Sequence, residues 1–469
     1  MPDDRDEREE AVRGLARGRR PARVLRAADP RAWTDLDEDV REAVERGDLA
    51  LRPAQDRFAA VAPERPARWR GLLGPGGPSL TSRPGEAELA LALCDPDGRI
   101  REAALGHAGS RPGVLPLVAI RATDWARPVR ELALDVLRTA LPTAQPGTLA
   151  VTAPVILRIA RRQRGDEVSA LLTEHLRDCP RATLTSLLLN PDRATRRLAL
   201  RLAVARGLLD AERLARLAAA DTDVAVQDIA ADAALAAMTA ETADQVLALL
   251  LAGRTGRVRA AGVTALRRAG RHAEGEPFLY DRSAMVRACA RWVLRQDGTD
   301  PLPLYRARCA DPAGTPGRAP LGLAECGEAG VDTAVLWELT AHADPLVRAS
   351  AVAGLRAFGV PAREGDRTRL LPLLADPAPG VVRETARGLK ETACLLPPDE
   401  LVRLIGPDRP PHVRARALGL LGAQGGSVYT ETVRRLVEDA DPVLSPPVRR
   451  AHGLPQPTPA GHRRRLWRV

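Results

Sequence analysis

Small and apolar residues recur along most of this chain with the spacing of one helical face, and polar residues fill the positions between them. An arginine returns about every 32 residues, and it serves as position zero of the pattern. Relative to it the apolar or small positions fall at −1, +3, +4 and +7, which is an amphipathic helical stripe. In one stretch these are Val129, Ala133, Leu134 and Leu137; in another they are Val347, Ala351, Val352 and Leu355. Ahead of the helix stands Asp or Asn followed by Pro, as in Asp95-Pro96, Asn190-Pro191, Asp344-Pro345 and Asp376-Pro377. The acid caps free backbone N–H groups, and proline at the first turn lacks an N–H that would find no partner there. Gly207, Gly270, Gly298, Gly359 and Gly422 are the expected helix stops. A second apolar helix fills the rest of each period, as in Arg369-Leu-Leu-Pro-Leu-Leu-Ala375.

The unit recurs at Arg101, Arg130, Arg196, Gln227, Arg259, Arg287, Arg318, Arg348, Arg383, Arg414 and Arg449, with a degenerate copy near Asp166-Glu167-Val168. A short hairpin cannot bury its apolar face alone, so repetition in phase predicts hairpins stacked on their neighbours. The fold class is therefore all-α, an α-solenoid of stacked helical hairpins. An Asp stands six residues before the arginine at Asp95/Arg101, Asp124/Arg130, Asp281/Arg287 and Asp408/Arg414. The spacing is shortened at Asp344/Arg348 and stretched at Asp376/Arg383 and Asp441/Arg449. On these residues the chain resembles the HEAT-repeat family over 86–450, especially the short repeats shared with phycobilisome-lyase-type proteins. The resemblance implies a right-handed HEAT/armadillo-like superhelix with a concave and a convex face. Such a fold says little about function.

Residues 1–72 lie outside the clear register and read as an N-terminal helical cap or accessory segment. Within them Thr34 to Gly47 looks like a capped helix with an acid-rich first turn and a glycine stop. Residues 73–85 form a Gly/Pro-rich linker. No Gly-Lys-Ser/Thr follows its glycines, so it does not match a phosphate-cradling loop. Residues 451–469 are expected to be a basic, disordered tail.

Composition supports packed helices: hydrophobic residues make up 45% of the chain but aromatics only 3%. Leu, Val and Ala let helices approach closely. The net charge is +10, yet six arginines and no acid fall within the last 24 residues, so the body is nearly balanced. Lys390 is the sole lysine. The six cysteines are scattered without a Cys-x-x-Cys pair, the start of the chain is charged, and no run is long and apolar enough to span a membrane. These features predict a cytoplasmic location and no membrane span.

The recurring charges Asp95, Arg101, Asp124, Arg130, Asp281, Arg287, Arg348, Asp408 and Arg414 admit two readings: an anion-binding stripe, or a structural ladder between repeats. Recurrence in every unit favours the ladder, because stacking contacts must repeat and binding residues rarely do. The seven histidines have no metal-ligand spacing, and no nucleophile motif is found, so no catalytic residue, metal or cofactor is assigned. Trp125 beside Asp124 matches the aromatic and acidic pair of HEAT-like alkylpurine DNA glycosylases, or else packs between units. Trp292 and Arg291 stand at +5 and +4, where sister units carry polar or small residues and apolar ones respectively. Counted from Arg383, Arg387 and Lys390 break +4 and +7 in the same way. Such departures mark either a partner-binding face or local repacking. Arg463, Arg464, Arg465 and Trp467 of the tail are further candidates, for nucleic acid, an acidic protein or an anionic surface.

The leading expectation is a non-catalytic scaffold that binds a protein partner of unknown identity along its concave face. The alternative is a nucleic-acid-binding HEAT-like protein with alkylpurine-DNA-glycosylase-like chemistry. A chromophore-lyase-like factor is a third reading, resting on the repeat subtype alone.

Overall fold

The computed structural model describes residues 3–47, 84–438 and 444–451, and among them there are helices, turns and no strand. The first half carries α1 (Asp3–Ala16), α2 (Pro21–Val24), α3 (Pro30–Arg46), α4 (Glu86–Leu93), α5 (Gly98–Ala108), α6 (Leu115–Arg121) and α7 (Arg127–Ala140). It continues with α8 (Pro146–Ile159), α9 (Asp166–Asp178), α10 (Arg181–Leu187), α11 (Arg193–Ala205), α12 (Ala211–Ala220), α13 (Val224–Ala237) and α14 (Ala243–Leu251). The second half carries α15 (Gly256–Arg268), α16 (Ala284–Gln296), α17 (Pro301–Ala310), α18 (Ala319–Cys326), α19 (Ala329–Leu339) and α20 (Pro345–Ala357). There follow α21 (Glu364–Leu370), α22 (Pro379–Leu389), α23 (Pro398–Ile405), α24 (Pro411–Gln424), α25 (Gly426–Glu438) and α26 (Ser445–Ala451). Contacts divide the chain into two compact units, residues 1–250 and 251–469. Within each, consecutive helices pair as hairpins and each hairpin packs on the next, as in α5 on α7, α15 on α16, and α20 on α22. This is the stacking of an all-α solenoid with HEAT-like repeats.

The helices form where the pattern placed them, and the local chemistry explains their limits. In α7, Val129, Ala133, Leu134 and Leu137 are buried while Arg127, Glu131 and Arg138 stay outside. Asp97, Asp192, Asp223 and Asp344 cap the following helices by accepting backbone N–H groups. Gly207, Gly270, Gly298 and Gly359 all take positive φ, the left-handed conformation that ends a helix and favours glycine.

Three local expectations need correction. Gly422 lies inside α24, and the chain turns at Gly425 with φ 68°. The first-half helix begins at Pro30 with Asp29 as its cap, not at Thr34, whose hydroxyl donates to the Arg31 carbonyl from a buried position. The segment 369–375 is not one α-helix. It passes from α21 into a 3₁₀ turn at Leu371–Ala375, because Pro372 has no N–H for the α-helical bond.

In the first unit α3 lies against α6 and α8. A buried chain of charges joins them: Arg121 donates to both Asp37 of α3 and Asp124, and Arg41 donates to Asp37. The 73–85 linker falls almost wholly outside the described residues, as does the tail beyond Ala451.

Candidate functional site

In the regular units the recurring arginine is the fourth residue after the helix cap, and in four of them it makes the same two contacts. Its Nη1 donates to the carbonyl six residues earlier in its own unit: Arg101 to Asp95, Arg196 to Asn190, Arg259 to Gly253 and Arg348 to His342. Its Nε and Nη2 form a two-pronged bond to the aspartate that opens the next unit. Arg101 holds Asp124 at 2.9 and 3.0 Å, Arg196 holds Asp221 at 3.0 and 3.1 Å, and Arg348 holds Asp376 at 2.9 Å through both nitrogens. Arg259 reaches Asp281 at 2.7 Å twice. Each aspartate also accepts the amide two residues on, as Asp124 does from Ala126 and Asp281 from Ser283. One carboxylate therefore shapes its own turn and receives the preceding repeat's guanidinium.

Water is largely excluded from these rungs. The Arg101 and Asp124 side chains are 0% and 1% exposed. Burial pushes the Asp124 carboxyl upward, but hydrogen bonds from Arg101 and the Ala126 amide, together with the Arg121 charge, outweigh it and hold the group below its ordinary value. Asp281 is held down in the same way by Arg259 and the Ser283 amide against its burial.

Rung partners tend to come and go together. Where the arginine is replaced by Gln227, the next acid position is Gly253. Where it is Ser169, the next acid position is Asn190, and where it is Gly322, the next is His342. An uncharged residue follows an uncharged one, as the cost of burying an unpaired charge requires. Arg130 is one exception, and Arg287, followed by Pro316 at the acid position, is another. Arg130 keeps its bond to the Asp124 carbonyl, but the acid position of the following unit carries Gln163, in an Arg161-Arg162-Gln163-Arg164 loop.

Several sequence assignments shift in this frame. Arg318 is itself the cap of α18, so the rung site there is Gly322. Ala378 caps α22, so the rung site there is Val382, and Arg383 is exposed beside Glu384. Counted from Val382, +4 is buried Ala386 and +7 is buried Leu389. Arg387 and Lys390 therefore stand on the open side by ordinary periodicity and do not break it. Arg387 pairs with Glu384 at 3.0 Å and, with Arg356 and Glu391, lines a small cleft. Asp408 is 71% exposed beside Arg409, while Arg414 donates through Nε to the Ile405 carbonyl, so these two are not a rung.

Arg287 lacks the usual acid and instead takes Glu325 of α18, a residue the spacing could not reveal. Arg291 joins it, donating to Glu325 at 2.7 Å with its side chain only 11% exposed. Trp292 is 40% exposed, with the Arg267 guanidinium 5.3 Å from its ring centroid. Trp125 is 70% exposed and lies 5.9 Å from Arg101. Its neighbour Asp124 is committed to Arg101, Arg121 and the Ala126 amide. Arg463, Arg464, Arg465 and Trp467 lie outside the described residues. Among the described residues no group of three His, Cys, Asp or Glu side chains is arranged to hold a metal, and no helix is long and apolar enough to cross a membrane.

One cleft has no counterpart in the sequence pattern. It measures about 740 Å³ and lies in the first unit, where the start of α3, the end of α8 and the start of α11 meet. Arg26, Arg31, Arg158, Arg161 and Arg193 line it, with Asp29, Asp192 and three prolines. Of the Arg161-Arg162-Gln163-Arg164 loop, Arg161 lines it.

No protein-family model matches the chain, and no curated protein does. Among solved structures it is similar to YibA of E. coli at 19% identity and TM-score 0.24, covering 54% of this chain and 95% of that one. It is similar to importin β at 14% identity and TM-score 0.35, covering 88% of this chain and 62% of the other. A third likeness is to Kap121p bound to Pho4p, at 15% identity and TM-score 0.29, covering 95% and 53%. The chain thus spans about half of Kap121p and less than two thirds of importin β. These likenesses concern the fold alone.

Proposed function

We propose that the chain is a non-catalytic HEAT-repeat scaffold that binds another protein along the concave side expected of its stacked hairpins. The observation that carries this reading is how the recurring charges are used. Arg101, Arg196, Arg259 and Arg348 are spent on neighbouring hairpins, with side chains no more than 14% exposed. What remains open is tryptophan and arginine surface, at Trp125, Trp292, Arg387 and the arginine-lined cleft, and these are the residue types that anchor protein partners. Asp124 weakens the glycosylase alternative, since a carboxylate already taking two guanidiniums and an amide is poorly placed to activate water or a base. The repeat pitch fits the short, phycobilisome-lyase-type form, and the six free cysteines fit a cytoplasmic setting.

The test is affinity capture with the full-length chain from a native lysate of its source cells, with and without nuclease, followed by crosslinking and mass spectrometry. The scaffold reading expects a protein captured equally in both arms and crosslinked to the open surfaces. Capture that vanishes with nuclease would transfer the assignment to nucleic acid.

A further inference from the structure

We propose that the arginine-lined cleft of the first unit receives an acidic segment of a partner protein, an extended stretch with several neighbouring Asp or Glu side chains. This deepens the scaffold reading and rests on it.

The cleft differs from the rest of the array in how its arginines are partnered. Arg31, Arg158, Arg161 and Arg193 have no carboxylate partner among the described residues, and Arg26 pairs only at the exposed rim with Glu7. Arg158 is positioned by a 3.3 Å bond from its Nε to the Thr34 hydroxyl. The two aspartates of the lining are already committed as helix caps, Asp29 to the Arg31 amide and Asp192 to the Thr195 amide and hydroxyl. Five arginines against two aspartates leave a concentrated positive charge in a concave space, where field lines focus and attract anions. The charge arises where the rung lapses. The unit after the one that supplies Arg158 and Arg161 opens with Gln163, where Arg130 would otherwise find an acid. The 17-residue α3 and the 13-residue α11 both begin at the cleft, adding the partial positive charge of their N-termini.

The shape and lining favour a peptide over nucleic acid. A space of about 740 Å³ cannot admit a duplex, whose width is far larger. A single strand is held by stacking its bases on aromatic side chains, and the lining contains none. Instead Pro30, Pro154, Pro191 and Leu157 give apolar contact between the cations, suited to the methylenes of Glu side chains while guanidiniums bind the carboxylates in two-pronged fashion.

Fluorescence polarisation on the full chain at low salt tests this, using labelled hexaglutamate, hexaglutamine and an oligothymidine of matched charge. The parent protein should bind hexaglutamate and not hexaglutamine. Combined Arg158→Ala, Arg161→Ala and Arg193→Ala should weaken that binding by about tenfold or more. The single Arg161→Glu, at an exposed position with no bond to lose, should weaken it with unchanged circular dichroism and guards against misfolding of the triple variant. Arg463, Arg464 and Arg465 replaced together by Ala should bind as the parent does. Failure to bind hexaglutamate, full retention in the cleft variants, or loss in the tail variant would each overturn the proposal. So would tighter binding of oligothymidine that depends on the same arginines. If the cleft fails while nuclease-resistant protein capture persists, the scaffold reading stands and only the cleft assignment falls.

Discussion

Pro154, inside α8, has no N–H to offer the Ala150 carbonyl one turn back, and Asn190, between α10 and α11, supplies the missing donor. Asn190 Nδ2 reaches that carbonyl at 2.7 Å, while Asn190 Oδ1 accepts the Asp192 amide at 2.9 Å. An aspartate could make only the second bond, so the departure from Asp at this position has a local cause. Replacing Asn190 with Asp should lower stability by about 1–3 kcal/mol, the cost of a buried acceptor left without a donor. Equilibrium denaturation would read it. In a Pro154→Ala background the carbonyl regains a helical N–H, so the loss should shrink; an equal loss in both backgrounds would remove this explanation. His342 makes the parallel substitution. Its Nδ1 accepts the Asp344 amide at 2.9 Å and its Nε2–H donates to the Pro312 carbonyl at 2.6 Å, which a neutral ring satisfies on both sides.

At the scale of the helix, the register was legible wherever an apolar residue and an arginine stood together behind an acid, as at Val347-Arg348. It was misread where one extra residue stands between the cap and the arginine. Asp376 and the cap Ala378 keep the ordinary spacing, so Val382 takes the rung site and Arg383, one residue further on, turns outward. Counting from Arg383, instead of from the acid or the cap, shifts the register by one residue there. At α18 the reason is packing. A Cβ on Gly322 would stand 2.2 Å from the ring of Tyr305, which is fully buried and pinned by a 2.7 Å bond to the Leu279 carbonyl. No arginine could occupy that site. Gly322→Ala should therefore destabilise the second unit by about 1–3 kcal/mol through overpacking. A melting temperature equal to the parent's would mean that Tyr305 yields freely. Glu325 escaped the sequence reading for a related cause, since the acid that replaces the rung aspartate comes from the last turn of α18 at an irregular separation.

Across the whole molecule, the all-α repeat fold was written in the chain because each hairpin repeats the same burial problem and solves it against its neighbour. The cleft was not, because residues 26–31, 154–161 and 191–194 meet only after α3 packs beside α8, and no periodic signal links them. Trp292 was legible as an open tryptophan, but Arg291 beside it is drawn into the Glu325 pair. Recurring charges devoted to stacking leave binding to other residues. The most direct measurement is a double-mutant cycle on Arg348 and Asp376, whose side chains are 14% and 8% exposed, by urea denaturation of the full chain. Arg348→Ala and Asp376→Ala should each destabilise the second unit. The double variant should lose less than their sum, with a coupling of about 1–3 kcal/mol across the rung. Single variants as stable as the parent, with strictly additive effects and weakened capture of a partner, would contradict it and return these arginines to a binding surface.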